Sequence, residues 1–216
     1  MKNNLFYLTG PMGSGKTTFG KELAKANPDI LIPELFSRNL KFHTEPNYRR
    51  ILKIAGRAIE NYEYAETADK NPDKIIIGNR CIYDCLAYNK IYYERGWISK
   101  ETYDFSEKLC DYAFADTNPY AIIINPGLET VKKHLEQRWK ETKKRKWGEE
   151  DMKFVEITCN VFEEFKGKEN THYIDHEVDL EGRIELNEVN EWMIEKYQKP
   201  FRYEYDKEYW KVAYGL

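Results

Sequence analysis

Short apolar runs alternate with segments of helical periodicity along most of the chain. The run at 74–78 is the clearest predicted strand, because three consecutive isoleucines, Ile75 to Ile77, suit a strand that is buried on both faces. Similar runs predict strands at 4–9, 30–32, 120–124 and 172–175. Apolar spacings of three and four residues predict helices at 16–26, 80–94, 99–115, 129–144, 149–165 and 188–197, and a long helical segment that breaks near 44–46 and resumes to about 68.

Strands that alternate with helices form parallel sheets with helices packed on both faces. The predicted fold class is therefore α/β, a three-layer α/β/α sandwich with a five-stranded parallel sheet. A length of 216 residues suits a single domain that spans 1–216. Ligands of such sheets bind beyond the carboxyl ends of the strands, so the residues that directly follow each strand are the candidates for a functional site.

The composition narrows the possible functions. The chain has 33% charged and 41% hydrophobic residues, as globular proteins do, and its net charge of −3 does not favour nucleic-acid binding through overall positive charge. No run of 18 apolar residues is present, and the apolar run at 5–8 is too short for a signal sequence. We therefore expect a cytoplasmic protein with no membrane partner. The four cysteines form no CxxC pair and have no zinc-ligand spacing.

A phosphate-binding motif follows the first predicted strand. Residues 10–17, Gly-Pro-Met-Gly-Ser-Gly-Lys-Thr, match the Walker A pattern G-x-x-x-x-G-K-[ST] and open a predicted helix. Glycines allow backbone N–H groups to approach phosphate oxygens, and the helix directs the positive end of its dipole at the same anion. Lys16 is suited to the β- and γ-phosphates of ATP and Thr17 to Mg²⁺. The predicted nucleotide-binding residues are Gly10, Pro11, Met12, Gly13, Ser14, Gly15, Lys16, Thr17 and Thr18.

The third predicted strand carries a resemblance to a known class of enzyme. Residues 75–88, Ile-Ile-Ile-Gly-Asn-Arg-Cys-Ile-Tyr-Asp-Cys-Leu-Ala-Tyr, resemble thymidylate kinases, and are similar to the strand-(Asp/Glu)-Arg segment of deoxynucleoside kinases and nicotinamide-riboside kinases. This resemblance to P-loop nucleoside and nucleotide kinases covers about 4–198 and implies the strand order 2-3-1-4-5. It also implies that Arg80 lies near the transferred phosphoryl group, where a permanently charged guanidinium suits phosphate oxygens.

The sequence departs from these kinases at one position that bears on the metal. Asn79 stands where they usually have an aspartate or glutamate that helps to hold Mg²⁺. An amide oxygen can accept a metal or a metal-bound water, but it brings no charge. Asp84, one helical turn further on, is the residue that could partly replace the missing carboxylate.

The acceptor side offers two candidate bases. Glu34 directly follows the second strand, where the resembling kinases place a carboxylate, and general-base assistance to an acceptor hydroxyl is worth about 10²–10⁴-fold. Glu45, before Pro46, is the competing carboxylate, and Glu34 is preferred. Arg38 would instead suit an acceptor that already carries a phosphate. Because a carboxylate and not an arginine pair follows the second strand, nucleosides are slightly favoured over nucleoside monophosphates.

A basic segment follows the fourth strand and its helix. Residues 138–146 read Arg-Trp-Lys-Glu-Thr-Lys-Lys-Arg-Lys, at the point where the resembling kinases carry an arginine-bearing lid. The resemblance implies a helical lid at about 138–150, with Arg138 and Arg145 approaching the phosphates and excluding water. A solvated helix face and contact with a nucleic-acid backbone are the alternatives. The aromatic tail at 200–216 could cover the domain or form a homodimer contact.

These features favour an ATP-dependent kinase that uses Mg²⁺ and acts on a small nucleoside-like acceptor, either a nucleoside or a nucleoside monophosphate. Its predicted catalytic residues are Lys16, Glu34, Arg80, Arg138 and Arg145, and its predicted metal ligands are Thr17, Asn79 and Asp84. Two other functions are consistent with the sequence. One is a polynucleotide-acting kinase or ATPase that uses the basic 138–146 segment, and the other is a regulatory module that binds a nucleoside triphosphate.

Overall fold

Five parallel strands form one sheet in the computed structural model, which describes residues 4–35, 45–114, 119–145 and 148–198. The strands are β1 (Leu5–Thr9), β2 (Ile30–Leu31), β3 (Ile75–Asn79), β4 (Tyr120–Ile124) and β5 (Thr171–Ile174). Their order in the sheet is β2-β3-β1-β4-β5, and every neighbouring pair is parallel. The predicted fold class and strand order are confirmed.

Helices cover both faces of this sheet. Within the described ranges they are α1 (Lys16–Ala26), α2 (Pro46–Lys70), α3 (Ile82–Glu94), α4 (Lys100–Phe114), α5 (Leu128–Thr142), α6 (Met152–Glu163) and α7 (Ile184–Gln198). Helices α1 and α7 contact each other, and α3 contacts both α4 and α6. In the described part of the chain, no helix is both long enough and apolar enough to span a bilayer.

The central strands bury side chains on both faces, as their apolar composition predicts. In β4, Ile122 and Ile124 pack with Phe19 and Leu23 of α1, whereas Ile123 belongs to the core on the opposite face. The same alternation is present in β1 and β3, because successive side chains of a strand point to opposite faces. The sheet therefore lies between two apolar layers and holds the carboxyl ends of its strands at one edge.

Two helices begin two or three residues later than predicted, each for a local reason. Helix α3 begins at Ile82 and not at 80, because Arg80 has φ = 76°, a left-handed conformation that no α-helix contains. Helix α6 begins at Met152 and not at 149, because the Asp151 carboxylate caps it by accepting a hydrogen bond from the backbone N–H of Phe154 (3.0 Å). Glu149 therefore lies in a turn.

The predicted break near 44–46 coincides with the start of α2. Glu45 caps the helix and Pro46 occupies its first position, where the missing N–H of proline costs no hydrogen bond. The helical segment predicted before this break, Arg38 included, falls mainly on 36–44 and lies outside the described residues. So do Lys146 of the predicted lid and the aromatic tail at 200–216.

Candidate functional site

The loop between β1 and α1 has a backbone that requires glycine. Gly10, Gly13 and Gly15 have φ values of 138°, 78° and 89°, which side chains other than glycine rarely adopt. A Cβ on Gly10 would also lie 2.2 Å from the carbonyl oxygen of Ile124 in β4. Because Gly15 precedes α1 and has no side chain to cap it, the first N–H groups of this helix are suited to bind an anion.

The Lys16 ammonium is held against this loop. It donates hydrogen bonds to the carbonyl oxygens of Gly10 (2.9 Å) and Pro11 (2.6 Å) and to the hydroxyl of Ser14 (3.1 Å). Thr17 and Thr18, the next two residues of α1, are exposed. The loop thus places one cation and two hydroxyl groups beside the helix N-terminus, a suitable arrangement for a polyphosphate and its metal.

A cavity of about 720 Å³ lies over the loop, and most of the predicted site residues line it. Residues 12–19 form its floor, so Met12, Gly13, Ser14, Gly15, Lys16, Thr17 and Thr18 line it, as do Asn79, Arg80 and Arg138. Gly10 and Pro11 are buried beneath the loop and contribute the carbonyl groups that hold Lys16. Residues predicted to bind the nucleotide and residues of the predicted lid, which are far apart in sequence, thus line one cavity.

Arg80 is fixed by a buried carboxylate. Its guanidinium donates to Asp84 Oδ1 (2.8 Å), and the other oxygen, Oδ2, accepts from the Thr9 hydroxyl (2.6 Å) and the Cys81 N–H (2.9 Å). Burial works against the charged form of Arg80, but charge interactions and hydrogen bonds with the Tyr88 hydroxyl and the Asp84 carboxylate outweigh it, so the pKa of the guanidinium is raised. Asp84 is itself buried and uses three acceptor positions in this way, which makes it a support for Arg80.

The residues of the predicted lid are held by Glu149. The carboxylate of Glu149 forms an ion pair with Arg138, and its backbone carbonyl accepts a hydrogen bond from Arg145 Nη1 (3.2 Å). The Arg145 guanidinium also lies 5.2 Å from the ring centre of Trp139. Arg138 lines the cavity, whereas Arg145 is held beside it through Glu149 and is not among the lining residues.

Sequence reasoning missed His134 and Glu149, which both line the cavity. His134 Nδ1 lies 2.9 Å from the carbonyl oxygen of Gly13, and its Nε2 lies 3.3 Å from the Glu177 carboxylate. Lys133 and His134 together lower the pKa of Glu177 by hydrogen bonding. The spacing of His134, Arg138 and Glu141 along α5 could have revealed this shared face. No local pattern marked Glu149, because its position depends on the turn before α6.

The two candidate bases have different surroundings. Glu34 is exposed and is not among the described residues that line the cavity. The carboxylate of Glu45 accepts hydrogen bonds from the backbone N–H groups of Asn47 (3.2 Å) and Tyr48 (2.9 Å) and from the Asn47 side chain (2.8 Å). Glu45 therefore serves as the cap of α2, and a catalytic role for Glu34 or Glu45 stays a prediction.

The residues present fit a magnesium ion that arrives with the nucleotide. Thr17 and Asn79 offer a hydroxyl and an amide oxygen at the cavity, and both are oxygen donors of the type that Mg²⁺ prefers. In the described ranges no group of three or more histidine, cysteine, aspartate or glutamate side chains could hold a metal by itself. Nucleotide phosphates and water would have to supply most of the ligands, as is usual for this ion.

The fold and the loop together define a P-loop α/β nucleotide-binding protein. More particularly, the chain belongs to the AAA domain family, whose model matches residues 5–164. No curated protein matches it in sequence.

Solved structures of two kinds of enzyme are similar to this fold. One is deoxyadenosine kinase from M. mycoides with bound dATP, at 17% identity and a TM-score of 0.67, covering 86% of this chain and 99% of that chain. Another is thymidylate kinase from Candida albicans, at 17% identity and a TM-score of 0.61, covering 91% of this chain and 94% of that chain. The predicted resemblance to P-loop nucleoside and nucleotide kinases is confirmed at the level of the fold.

Proposed function

We propose that the protein is an ATP-dependent kinase that transfers the γ-phosphoryl group to a small nucleoside-like acceptor, either a nucleoside or a nucleoside monophosphate. One observation carries the proposal: Lys16, Arg80 and Arg138, from three different parts of the chain, line the same cavity over the phosphate-binding loop. Phosphoryl transfer requires mainly positioning and stabilisation of charge on the transferred group, and these cations are suited to both.

Each part of the site has a task in this reaction. The loop N–H groups and Lys16 would bind the triphosphate, and Arg80, held by Asp84, would stabilise the charge that develops during transfer. Arg138 would approach from the lid and help to exclude water, which would otherwise compete with the acceptor. Magnesium bound with the nucleotide near Thr17 and Asn79 would neutralise phosphate charge.

The similar structures support a nucleoside-like acceptor. Deoxyadenosine kinase from M. mycoides was solved with bound dATP and with bound dCTP, and thymidylate kinase takes a nucleotide as its name states. The fold of this chain aligns with nearly the whole length of these proteins, because 94–99% of each is covered. A nucleoside or a nucleoside monophosphate is therefore the acceptor class to test first.

The experiment measures ADP release from Mg-ATP with a panel of nucleosides, nucleoside monophosphates and a 5′-hydroxyl oligonucleotide. We expect ADP release that depends on one of the small acceptors, and loss of at least about 100-fold in Lys16→Ala, because this variant lacks the cation at the phosphates. Lys21→Ala, an exposed position of the same helix, is the matched control and should retain activity.

Three results would contradict the proposal. ATP binding without phosphorylation of any acceptor would favour a regulatory module. Activity on the oligonucleotide alone would favour a polynucleotide kinase. Equal activity of Lys16→Ala and the wild type would remove the loop from the reaction.

A further inference from the structure

The tip of the phosphate-binding loop packs against helix α5. A Cβ on Gly13 would lie 2.9 Å from the Cδ2 atom of Leu135 and 3.3 Å from Val131, so the loop backbone is in direct contact with this helix. Met12 packs against the same apolar cluster, which Val131 and Leu135 form with two residues of α6. The helix that follows β4 therefore supports the loop that follows β1.

His134 adds a polar contact at the same point. Its Nδ1 atom lies 2.9 Å from the carbonyl oxygen of Gly13. Because a carbonyl oxygen can only accept a hydrogen bond, Nδ1 carries the hydrogen and donates it. The N–H of Ser14, on the opposite side of the same peptide group, donates to the Pro11 carbonyl (3.3 Å). Both polar atoms of the peptide group between Gly13 and Ser14 are therefore held.

The orientation of this peptide group matters for anion binding. Gly13 has φ = 78°, and glycine adopts and leaves this conformation easily, because it has no Cβ to restrict the backbone. A phosphate-binding loop attracts its ligand through N–H groups, and a carbonyl oxygen that turned toward the phosphates would repel them. The hydrogen bond from His134 keeps the Gly13 carbonyl directed at α5.

The imidazole ring is itself held at its other edge. Nε2 of His134 lies 3.3 Å from Glu177 Oε1, in the segment that follows β5. Lys133 fixes this carboxylate with two contacts, 3.0 Å to Oε1 and 3.1 Å to Oε2. A histidine whose two nitrogens have different partners keeps one ring orientation. His134 thus connects the segment after β5 to the loop after β1.

We propose that His134 is a positioning residue of the nucleotide site, which fixes the peptide group between Gly13 and Ser14 so that the loop is ordered for the triphosphate. This role rests on the proposed use of the loop for ATP and adds to it a residue from outside the Walker A motif. His134 lines the same cavity as Lys16. Its effect is transmitted through the loop backbone.

A positioning role predicts a particular change in the kinetics. An interaction that orders the loop before the nucleotide arrives stabilises the bound substrate and the transition state equally. Its loss raises the KM and the dissociation constant for ATP and leaves kcat nearly unchanged. A general loss of folded protein has a different effect, because it lowers the apparent kcat and leaves the KM of the remaining enzyme unchanged.

Two substitutions separate the roles of the two ring nitrogens. The amide nitrogen of asparagine can take the place of Nδ1, whereas that of glutamine takes the place of Nε2. We expect His134→Gln to raise the dissociation constant and the KM for Mg-ATP about 5–10-fold with kcat within about twofold, as expected for the loss of one hydrogen bond. His134→Asn should keep both constants within about twofold of the wild type. Calorimetric titration with Mg-ATP and steady-state ADP release measure them.

Glu136→Gln is the matched control, because Glu136 is exposed on the same helix and is not among the described residues that line the cavity. It should leave the dissociation constant for Mg-ATP unchanged. An unchanged dissociation constant in His134→Gln would overturn this inference and leave the kinase proposal in place. Equal weakening in His134→Gln and His134→Asn would also overturn it, because Nδ1 would then make no contribution of its own. Absence of Mg-ATP binding by the wild type would overturn both proposals.

Discussion

The carboxylate of Glu149 is buried against the guanidinium of Arg138, and only 2% of the Glu149 side chain is exposed. This ion pair joins α5 to the turn that precedes α6, and Arg145 donates to the backbone of the same glutamate. One buried acid thus fixes both arginines of the predicted lid. Glu149 therefore connects the two arginines to the turn that precedes α6.

We expect Glu149→Gln to lower the free energy of unfolding by about 1–3 kcal/mol, because the Arg138 guanidinium loses its charged partner in a largely buried setting. Urea denaturation measures the change. Glu150→Gln is the control, since the neighbouring Glu150 is exposed, and it should stay within about 0.5 kcal/mol of the wild type. An equal, small effect of both substitutions would mean that the ion pair between Arg138 and Glu149 does not stabilise the fold.

Asp84→Asn should lower kcat about 10-fold and change the KM for ATP little. The amide nitrogen cannot accept a hydrogen bond, so either Arg80 or the pair of donors Thr9 and Cys81 loses its acceptor. Steady-state kinetics below the unfolding temperature would separate this positioning effect from a loss of stability, which we expect to be about 1–3 kcal/mol. The exposed Asp111→Asn on α4 is the control. An unchanged kcat would show that Asp84 does not act through Arg80.

The sequence predicted the strands and the phosphate-binding loop, because both depend on local patterns. Residues 120–124 are apolar throughout, and the loop glycines are required by their own backbone conformation. The sequence predicts a helix that includes Arg80, because an arginine carries no sign of a left-handed φ of 76°. That conformation arises from tertiary contacts, among them the hydrogen bond from the Arg80 N–H to the Leu8 carbonyl (2.8 Å).

The residues around the acceptor were harder to predict from the sequence, because their positions also depend on tertiary contacts. No local pattern predicts that Arg57 of α2 donates a hydrogen bond to the Asn79 carbonyl at the end of β3, because the two residues lie on separate elements. The sequence offers Glu45 as the second candidate base after Glu34, and its hydrogen bonds show that it caps α2. Such assignments require the packing of separate elements, which a single sequence does not contain.

Two histidines near β5 should affect stability in opposite directions as the pH changes. Burial lowers the pKa of His172, and the charge of Glu188 opposes this effect. The folded state therefore disfavours the protonated imidazole, so the protein loses stability as the pH falls below the pKa of about 6.5 that His172 has in the unfolded state. Hydrogen bonds to Glu185 and Asp175 raise the pKa of His176. Protonated His176 therefore stabilises the folded state below about pH 6.5, and this stabilisation is lost as the pH rises through the higher pKa that His176 has in the folded state.

Urea denaturation at pH 5.5 and 7.5 would measure this difference in His172→Gln and His176→Gln. Relative to the wild type, His172→Gln should gain stability at the lower pH, and His176→Gln should lose it. Each change should be about 0.5 kcal/mol, because both side chains are partly exposed and solvent screens their interactions. Shifts of the same sign in the two variants would contradict the assignment.

Asn79→Asp should raise the affinity of the nucleotide site for magnesium. Asn79 lines the cavity next to Arg80, and a carboxylate there would bring a charged oxygen to the position where the metal is expected. We expect the magnesium concentration that half-saturates binding of a fluorescent ATP analogue to fall about 3–10-fold. Asn187→Asp, an exposed position on α7, adds the same charge away from the cavity and should leave this concentration unchanged. An equal response of both variants would indicate a general effect of net charge, and no response in Asn79→Asp would place the metal away from the end of β3.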